Sequence, residues 1–300
     1  MITEIEAKGI LNPVKQPDDW FGLKYNMNLY RGCQHRCIYC DSRSLCYQID
    51  NFDHEVIVKV NAVELLVDQL PRKRVVGTIG TGSMNDPYMP LEKRYNLTGR
   101  ALAVIAENRF PVHVLTKSDL VLRDIDTLVE INQVFAAVSF TVTAADDILG
   151  KKVEPGAPAV SRRFAAMRRL AERDIPTGVL LMPVLPFIED TVENVLKIVE
   201  MAAEHGAGYI LSSLGMTLRD RQRFHYYQQL DEQFPGTKEK YIRQFGGSYF
   251  AEARRANRLY AAIEEACLAR RISISMPKYT PKEATSARKQ MSLFEMGAPS

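Results

Sequence analysis

From about residue 74 the chain alternates short apolar runs with stretches whose apolar positions recur at helical spacing. Arg74–Gly82, Val112–Lys117, Phe135–Thr143, Thr177–Val184 and Tyr209–Leu214 are short apolar runs of strand length. Between them, Leu97, Ala101, Val104 and Ile105 share one helical face, and Asp119–Asn132 and Ser161–Arg173 read as helices. Val195, Ile198, Val199 and Ala202 line a further helix, which Thr191 caps and Gly206 ends. Strands that are apolar almost throughout are buried on both faces, so their alternation with helices predicts a parallel sheet covered by helices. One more strand near Tyr25–Tyr30 gives about six βα units. A partial barrel and an open doubly wound sheet both fit, and both place chemistry beyond the C-terminal ends of the strands. After Gly246–Gly247 a long helix is predicted to about Arg271, and beyond Pro277 the chain turns polar.

Composition adds scale and compartment. Three hundred residues, 46% hydrophobic and 25% charged, suffice for a large core. The net charge of +3 excludes a general polycation, but residues 201–300 carry fifteen Lys and Arg against ten Asp and Glu. A basic C-terminal third tolerates a polyanionic partner without demanding one. The most apolar stretch, Ile175 to Ile188, is interrupted by Pro176, Pro183 and Pro186 and is too short for a bilayer. Glu4 and Glu6 interrupt the N-terminus, which has no apolar export segment. A cytoplasmic protein with no membrane partner is expected, its five cysteines reduced.

Three of those cysteines stand together. The stretch Arg31 to Asp41 places Cys33, Cys37 and Cys40 within eight residues, just after the first predicted strand. Three close thiolates can each take one iron of a 4Fe–4S cubane and leave the fourth iron open. Cys46 follows six residues later, so a four-thiolate zinc site is the alternative. Zinc sites usually pair two short knuckles across a longer stretch, whereas this loop is compact. Cys267 shares a helical face with Ala256, Leu259, Tyr260 and Ile263 and reads as a core residue. His35 lies inside the loop and reads as a group that tunes solvation rather than a ligand.

The Cys-x3-Cys-x2-Cys spacing, with Tyr39 just before the last cysteine, resembles the defining motif of the radical S-adenosylmethionine superfamily. Within it, the chain is similar to the spore-photoproduct-lyase-like branch, also called DNA repair photolyases. The matching pieces are Asn12-Pro13, Trp20-Phe21, Tyr30 to Cys33, Asp86 to Glu92 and Glu154-Pro155, and they cover about residues 10–280. The resemblance implies an α/β fold, a partial (β/α)6 TIM-type barrel over residues 25–215 with its cluster loop at 31–46. A lead-in over 1–24, a C-terminal helical extension over 216–277 and a flexible tail over 278–300 would complete it. The implied cofactors are a 4Fe–4S cluster held by Cys33, Cys37 and Cys40, and S-adenosylmethionine chelated at the open iron. One electron, from an external donor, cleaves the cofactor to a 5′-deoxyadenosyl radical that abstracts hydrogen from substrate.

The resemblance also implies places for the cofactor. Tyr39 belongs to the motif that holds it. Strand two ends in Gly80-Thr-Gly-Ser83, where Ser83 or the Gly82 carbonyl would meet the methionyl amine. Lys117, at the end of strand three, would pair with the carboxylate. Ser139, on strand four, would meet the ribose side or else be a core hydroxyl. Asp190 follows prolines that replace the usual glycines and has no assigned role. Spore photoproduct lyases carry a hydrogen-donating cysteine after strand two, whereas Ser83-Met-Asn-Asp86 has none. Tyr88 and Cys46 are the substitutes to consider.

The tail contains Gln290-Met-Ser-Leu-Phe294, similar to the short bacterial sliding-clamp-binding peptide with Met291 in place of Leu. A sliding clamp is one expected partner; Leu293 and Phe294 packing on their own barrel is the alternative. Three functions follow: a radical enzyme acting on damaged or modified nucleic acid, one modifying a protein or metabolite, and a non-catalytic iron–sulfur or zinc scaffold of a DNA complex.

Overall fold

The computed structural model describes residues 1–16, 19–49, 51–52 and 54–281; the peptide Gln290–Phe294 lies outside the described residues. The main sheet has seven strands, in the spatial order 209–212, 177–181, 136–141, 112–116, 79–81, 25–27 and 11–13. The first six run parallel, and Leu11–Pro13 pairs antiparallel with Tyr25–Met27 at the edge. The two end strands do not pair with each other, so the barrel is partial. The strands Ala136–Thr141 and Thr177–Leu181 are buried at every position, as expected for a sheet covered on both faces.

The helices fill the predicted places. Val192–Glu204 is capped by the Thr191 hydroxyl, which accepts from the Asn194 N–H, and Val195, Ile198, Val199 and Ala202 are its buried face. Asp119–Asn132 opens with a 3-10 turn over Asp119–Asp124, capped by Ser118, before the α-helix Ile125–Asn132. The run Arg74–Gly82 pairs only over Ile79–Thr81; Val75 and Val76 stay exposed outside the ladder. Tyr25–Tyr30 divides between two sheets. Its last residue joins Tyr30–Arg31, which pairs with Val56–Lys59 in a separate three-stranded sheet that also holds Ile2–Ile5.

The segment after Gly246–Gly247 is not one helix. Phe250–Glu252 first pairs with Gly215–Thr217, and the left-handed Arg255 turns the chain into the helix Ala256–Ala269. That helix buries Leu259, Ile263 and Cys267 in the main core, where it packs on Val192–Glu204. Each such aliphatic side chain contributes roughly 1.5–3 kcal/mol of burial. The helices Asp220–Gln233 and Thr237–Phe245 form a second apolar group with Cys37, Ile38, Tyr39, Val153 and Leu185. The C-terminal extension therefore backs the cysteine loop directly. Among the described residues no helix is long and apolar enough to cross a membrane.

Candidate active site

A cavity of about 470 Å³ opens at the C-terminal ends of the parallel strands. Cys33, Cys37 and Cys40 line it, together with Tyr39, Gly82, Ser83, Lys117, Met182, Pro183 and Met216. Burial and the Asp86 carboxylate push the Cys33 thiol up to about 12, and burial also raises Cys37. Iron must expel those protons on binding. Among the described residues no three His, Cys, Asp or Glu side chains gather closely enough to hold a single metal ion. The thiols instead border a space of cluster size. Cys46 is exposed, lies 3.5 Å from an Arg219 nitrogen and does not line the cavity, so it is no fourth ligand in this arrangement.

Two buried carboxylates hold the loop. Asp86 accepts from the Tyr88 N–H at 2.9 Å, the Thr116 hydroxyl at 2.7 Å and the Lys117 N–H at 2.6 Å, and its Oδ2 lies 3.3 Å from His35 Nδ1. Burial alone would raise Asp86, but the facing His35 and these donors outweigh it and hold the carboxyl at about 2. Glu154 accepts from the Tyr39 hydroxyl, pairs with Arg163 at 2.5 Å and lies 3.9 Å from Lys117 Nζ. Burial works against its charge, yet Arg163 and Lys117 keep it low. Lys117 in turn is held protonated against burial by Cys37, Glu154 and Asp86. Arg163, wholly buried, also donates to the Thr141 and Pro158 carbonyls. The backbone completes the clamp: Ile38 N–H donates to the Val153 carbonyl and Gly156 N–H to the His35 carbonyl.

The expected cofactor residues separate into two groups. Tyr39, Gly82, Ser83 and Lys117 share the cavity wall. Gly82 has φ +89°, and a Cβ there would lie 2.3 Å from the Leu115 carbonyl oxygen, so only glycine fits this strand end. Ser83 donates to the side chains of Asn26 or Asn28 at 3.2 Å. Ser139 does not join them; it is fully buried between His113 Nε2 at 2.8 Å and the Tyr209 hydroxyl at 2.7 Å. Neither proposed hydrogen donor lines the cavity: Tyr88 is buried with its hydroxyl on Asp124, and Cys46 faces outward. Asp190 is bound by the Arg254 guanidinium and by the Phe187 and Arg254 N–H groups, a structural position.

Sequence reasoning gave no role to Asn85, Asp86 or Glu154. Asn85 Oδ1 is buried at the cavity without a hydrogen-bond partner, an acceptor suited to an ammonium donor. Asp86 and Glu154 each precede a proline in otherwise apolar surroundings, and that was the available signal. The donor set thus fits a cluster and a zwitterionic cofactor: three thiols, a cation, and an unpaired acceptor around one cavity.

The profile of the Radical SAM superfamily matches residues 27–199. An uncharacterized protein of Methanocaldococcus jannaschii is 36% identical over 191 residues, 63% of this chain and 70% of that protein. An uncharacterized protein of Mycobacterium tuberculosis is 31% identical over 229 residues, 73% of this chain and 66% of that one. Among solved structures, spore photoproduct lyase complexed with dinucleoside spore photoproduct has a TM-score of 0.67 at 15% identity, covering 89% of this chain and 79% of that one. A cysteine-to-serine mutant of spore photoproduct lyase gives a TM-score of 0.66 at 14% identity, with the same coverage of 89% and 79%. At that identity the likeness is one of fold. The motif, the strand-end cavity and the profile agree, and the chain belongs to the radical S-adenosylmethionine superfamily, whose members use a 4Fe–4S cluster and S-adenosylmethionine.

Proposed function

We propose that this radical enzyme acts on a damaged or modified base within a nucleic acid, as a lyase. The observation that carries the reading is the mouth of the cavity. Trp20 and Phe250 both line it and are each 42% exposed. A cavity of about 470 Å³ lies within the range of single small-molecule sites, roughly 300–1,000 Å³. Once filled by the cofactor, it leaves the substrate to approach at that aromatic mouth. Exposed rings suit bases, whose stacking contributes roughly 1–3 kcal/mol each. The similar fold of a lyase complexed with a dinucleoside photoproduct supports the same substrate class.

When bound, the cluster and cofactor supply one-electron, hydrogen-abstracting chemistry. The residues of the chain bind and orient. Cys33, Cys37 and Cys40 hold the iron. Lys117 offers its ammonium to the methionyl carboxylate, and Gly82, Ser83 and Asn85 present acceptors to the amine. Glu154 and Arg163 fix Tyr39 and the loop, and the apolar wall of Met182, Pro183 and Met216 limits water. No cavity-lining thiol is left over to return hydrogen among the described residues, so the reaction differs from one that needs a protein thiol donor. The tail peptide Gln290–Phe294 adds a proposed partner, the bacterial sliding clamp, which would bring the enzyme to DNA.

The test is anaerobic turnover with deuterated oligonucleotides carrying defined lesions, alongside protein and metabolite pools. Deuterium should enter 5′-deoxyadenosine from a nucleic acid. Transfer only from a protein or metabolite would overturn the proposal.

A further inference from the structure

The cysteine loop has a second side. A separate cavity of about 450 Å³ lies behind it, and His35 lines both this cavity and the one that holds the three thiols. One residue of the loop is thus the shared wall between the iron site and an opening on the opposite surface. The rear of the loop is fastened there at two points: Gln34 Oε1 accepts from the Leu91 N–H at 2.7 Å, and the His35 carbonyl from the Gly156 N–H at 2.8 Å. A Cβ on Gly156 would come within 2.2 Å of the Gln34 carbonyl oxygen, so the wall is as thin as backbone packing permits.

The rim of this rear cavity is basic. Lys93, Arg123 and Arg162 line it, with Asp119 as its acidic member. Arg123 is engaged by Asp124 and Glu92, and Arg162 by Asp119. Lys93 is exposed and has no ion-pair partner among the described residues. Arg36, exposed on the loop itself between two of the cysteines, has none either. Lys151 adds a further ammonium beside the same Glu154–Pro158 segment, on the Pro155 carbonyl. The surplus charge at the point where the loop comes through to the surface is positive.

We infer that this rear face docks an acidic one-electron carrier protein, with a flavin or iron–sulfur centre, which reduces the cluster through the His35 wall while the front cavity stays occupied. One electron leaves the carrier, which is oxidised, and enters the cluster, which is reduced; no atom is transferred. The inference rests on the cluster site and not on the identity of the substrate. Separate faces for reductant and substrate let the bound cofactor remain shielded during electron entry. Charge complementarity of this kind acts mainly on encounter rate and is screened by salt.

The experiment is stopped-flow reduction of the reconstituted protein by a purified acidic flavodoxin, followed by cluster absorbance, with dithionite as a small-molecule reductant in parallel. In the unaltered protein the flavodoxin rate should fall by about tenfold or more between roughly 50 and 500 mM salt. The Arg36→Glu/Lys93→Glu double variant, and Lys93→Glu alone if the loop change lowers iron content, should slow flavodoxin reduction by a similar factor. Reduction by dithionite and affinity for S-adenosylmethionine should not change. A flavodoxin rate indifferent to both salt and charge reversal overturns the inference. So does a variant that keeps its flavodoxin rate but loses oligonucleotide binding, since the face would then belong to a polyanion. Failure to find a nucleic-acid substrate would overturn the proposed function and leave this result standing.

Discussion

At the scale of single residues, charge in the site is set by pairing rather than by exposure. Lys117 lies 3.9 Å from Glu154, but Arg163 is the closer partner of that carboxylate at 2.5 Å. Lys117→Ala should therefore leave the loop and its iron intact while weakening binding of S-adenosylmethionine about ten- to a hundredfold, the loss of one charge-assisted contact. Equilibrium binding with iron analysis checks this; unchanged affinity would move Lys117 out of the cofactor site. Glu189 behaves in the opposite way. Burial pushes its carboxyl up to about 8, although the Leu185 N–H and the Thr143 hydroxyl donate to it. The unfolded chain ionises this group near the usual value of about 4.3. Between about 4.3 and 8 the folded state binds the additional proton, so this group's contribution to stability falls as pH rises through that window. Glu189→Gln keeps an acceptor for Leu185 and turns its amide to the Thr143 hydroxyl. It should match the parent near pH 5 and exceed it by a few kcal/mol at pH 8, read from urea unfolding under argon. A difference that does not change with pH would show that Glu189 is ionised in the fold.

At the scale of elements, legibility followed the periodicity. The strands Val112–Thr116, Ala136–Thr141, Thr177–Leu181 and Tyr209–Ser212 and the helix Val192–Glu204 fall where apolar runs and caps placed them. Short elements whose pairing is settled by distant residues were not legible. Ile2–Ile5 becomes a strand because Val56–Lys59 lies beside it, and Phe250–Glu252 because Gly215–Thr217 does. The cysteine loop was found by spacing alone, but its support was not, because Glu154 and Gly156 meet it across more than a hundred residues of sequence. Gly156 tests that support. A Cβ there would press on the backbone oxygens of Gln34 and His35 at 2.2 and 2.8 Å, and backbone cannot yield as a side-chain end can. Gly156→Ala should lower iron incorporation and reduce stability by about 1–3 kcal/mol, whereas Gly236→Ala, with no atom within 4 Å of its Cβ but φ +79°, should cost only backbone strain and keep full iron. Equal iron content in both variants would mean that the loop does not depend on this contact.

At the scale of the molecule, the partial barrel brings two faces to one loop, an aromatic mouth in front and a basic rim behind, and the C-terminal helices close the structure around them. The parallel sheet was legible because buried strands leave continuous apolar runs. The distinction between front and back was not, because it depends on which side of a ten-residue loop each distant segment packs. The same structure bears on the tail. The described fold reaches its last buried apolar residue at Met276, and Ser273 supplies the final bridge, to Tyr209. Every core residue in the described chain thus precedes position 277, and the cavity wall ends earlier, at Phe250. Truncation after Lys289 should therefore leave the melting temperature, iron content and cofactor affinity unchanged. If Gln290–Phe294 is a clamp peptide, the same truncation should abolish binding to the purified bacterial sliding clamp, and Phe294→Ala alone should weaken it by on the order of 2 kcal/mol, since one aromatic anchor supplies much of so small an interface. Calorimetry with the intact protein decides between the two readings of the tail. A sharp drop in melting temperature on truncation would place Leu293 and Phe294 in the core, and an absence of clamp binding by the intact protein would remove the clamp as a partner.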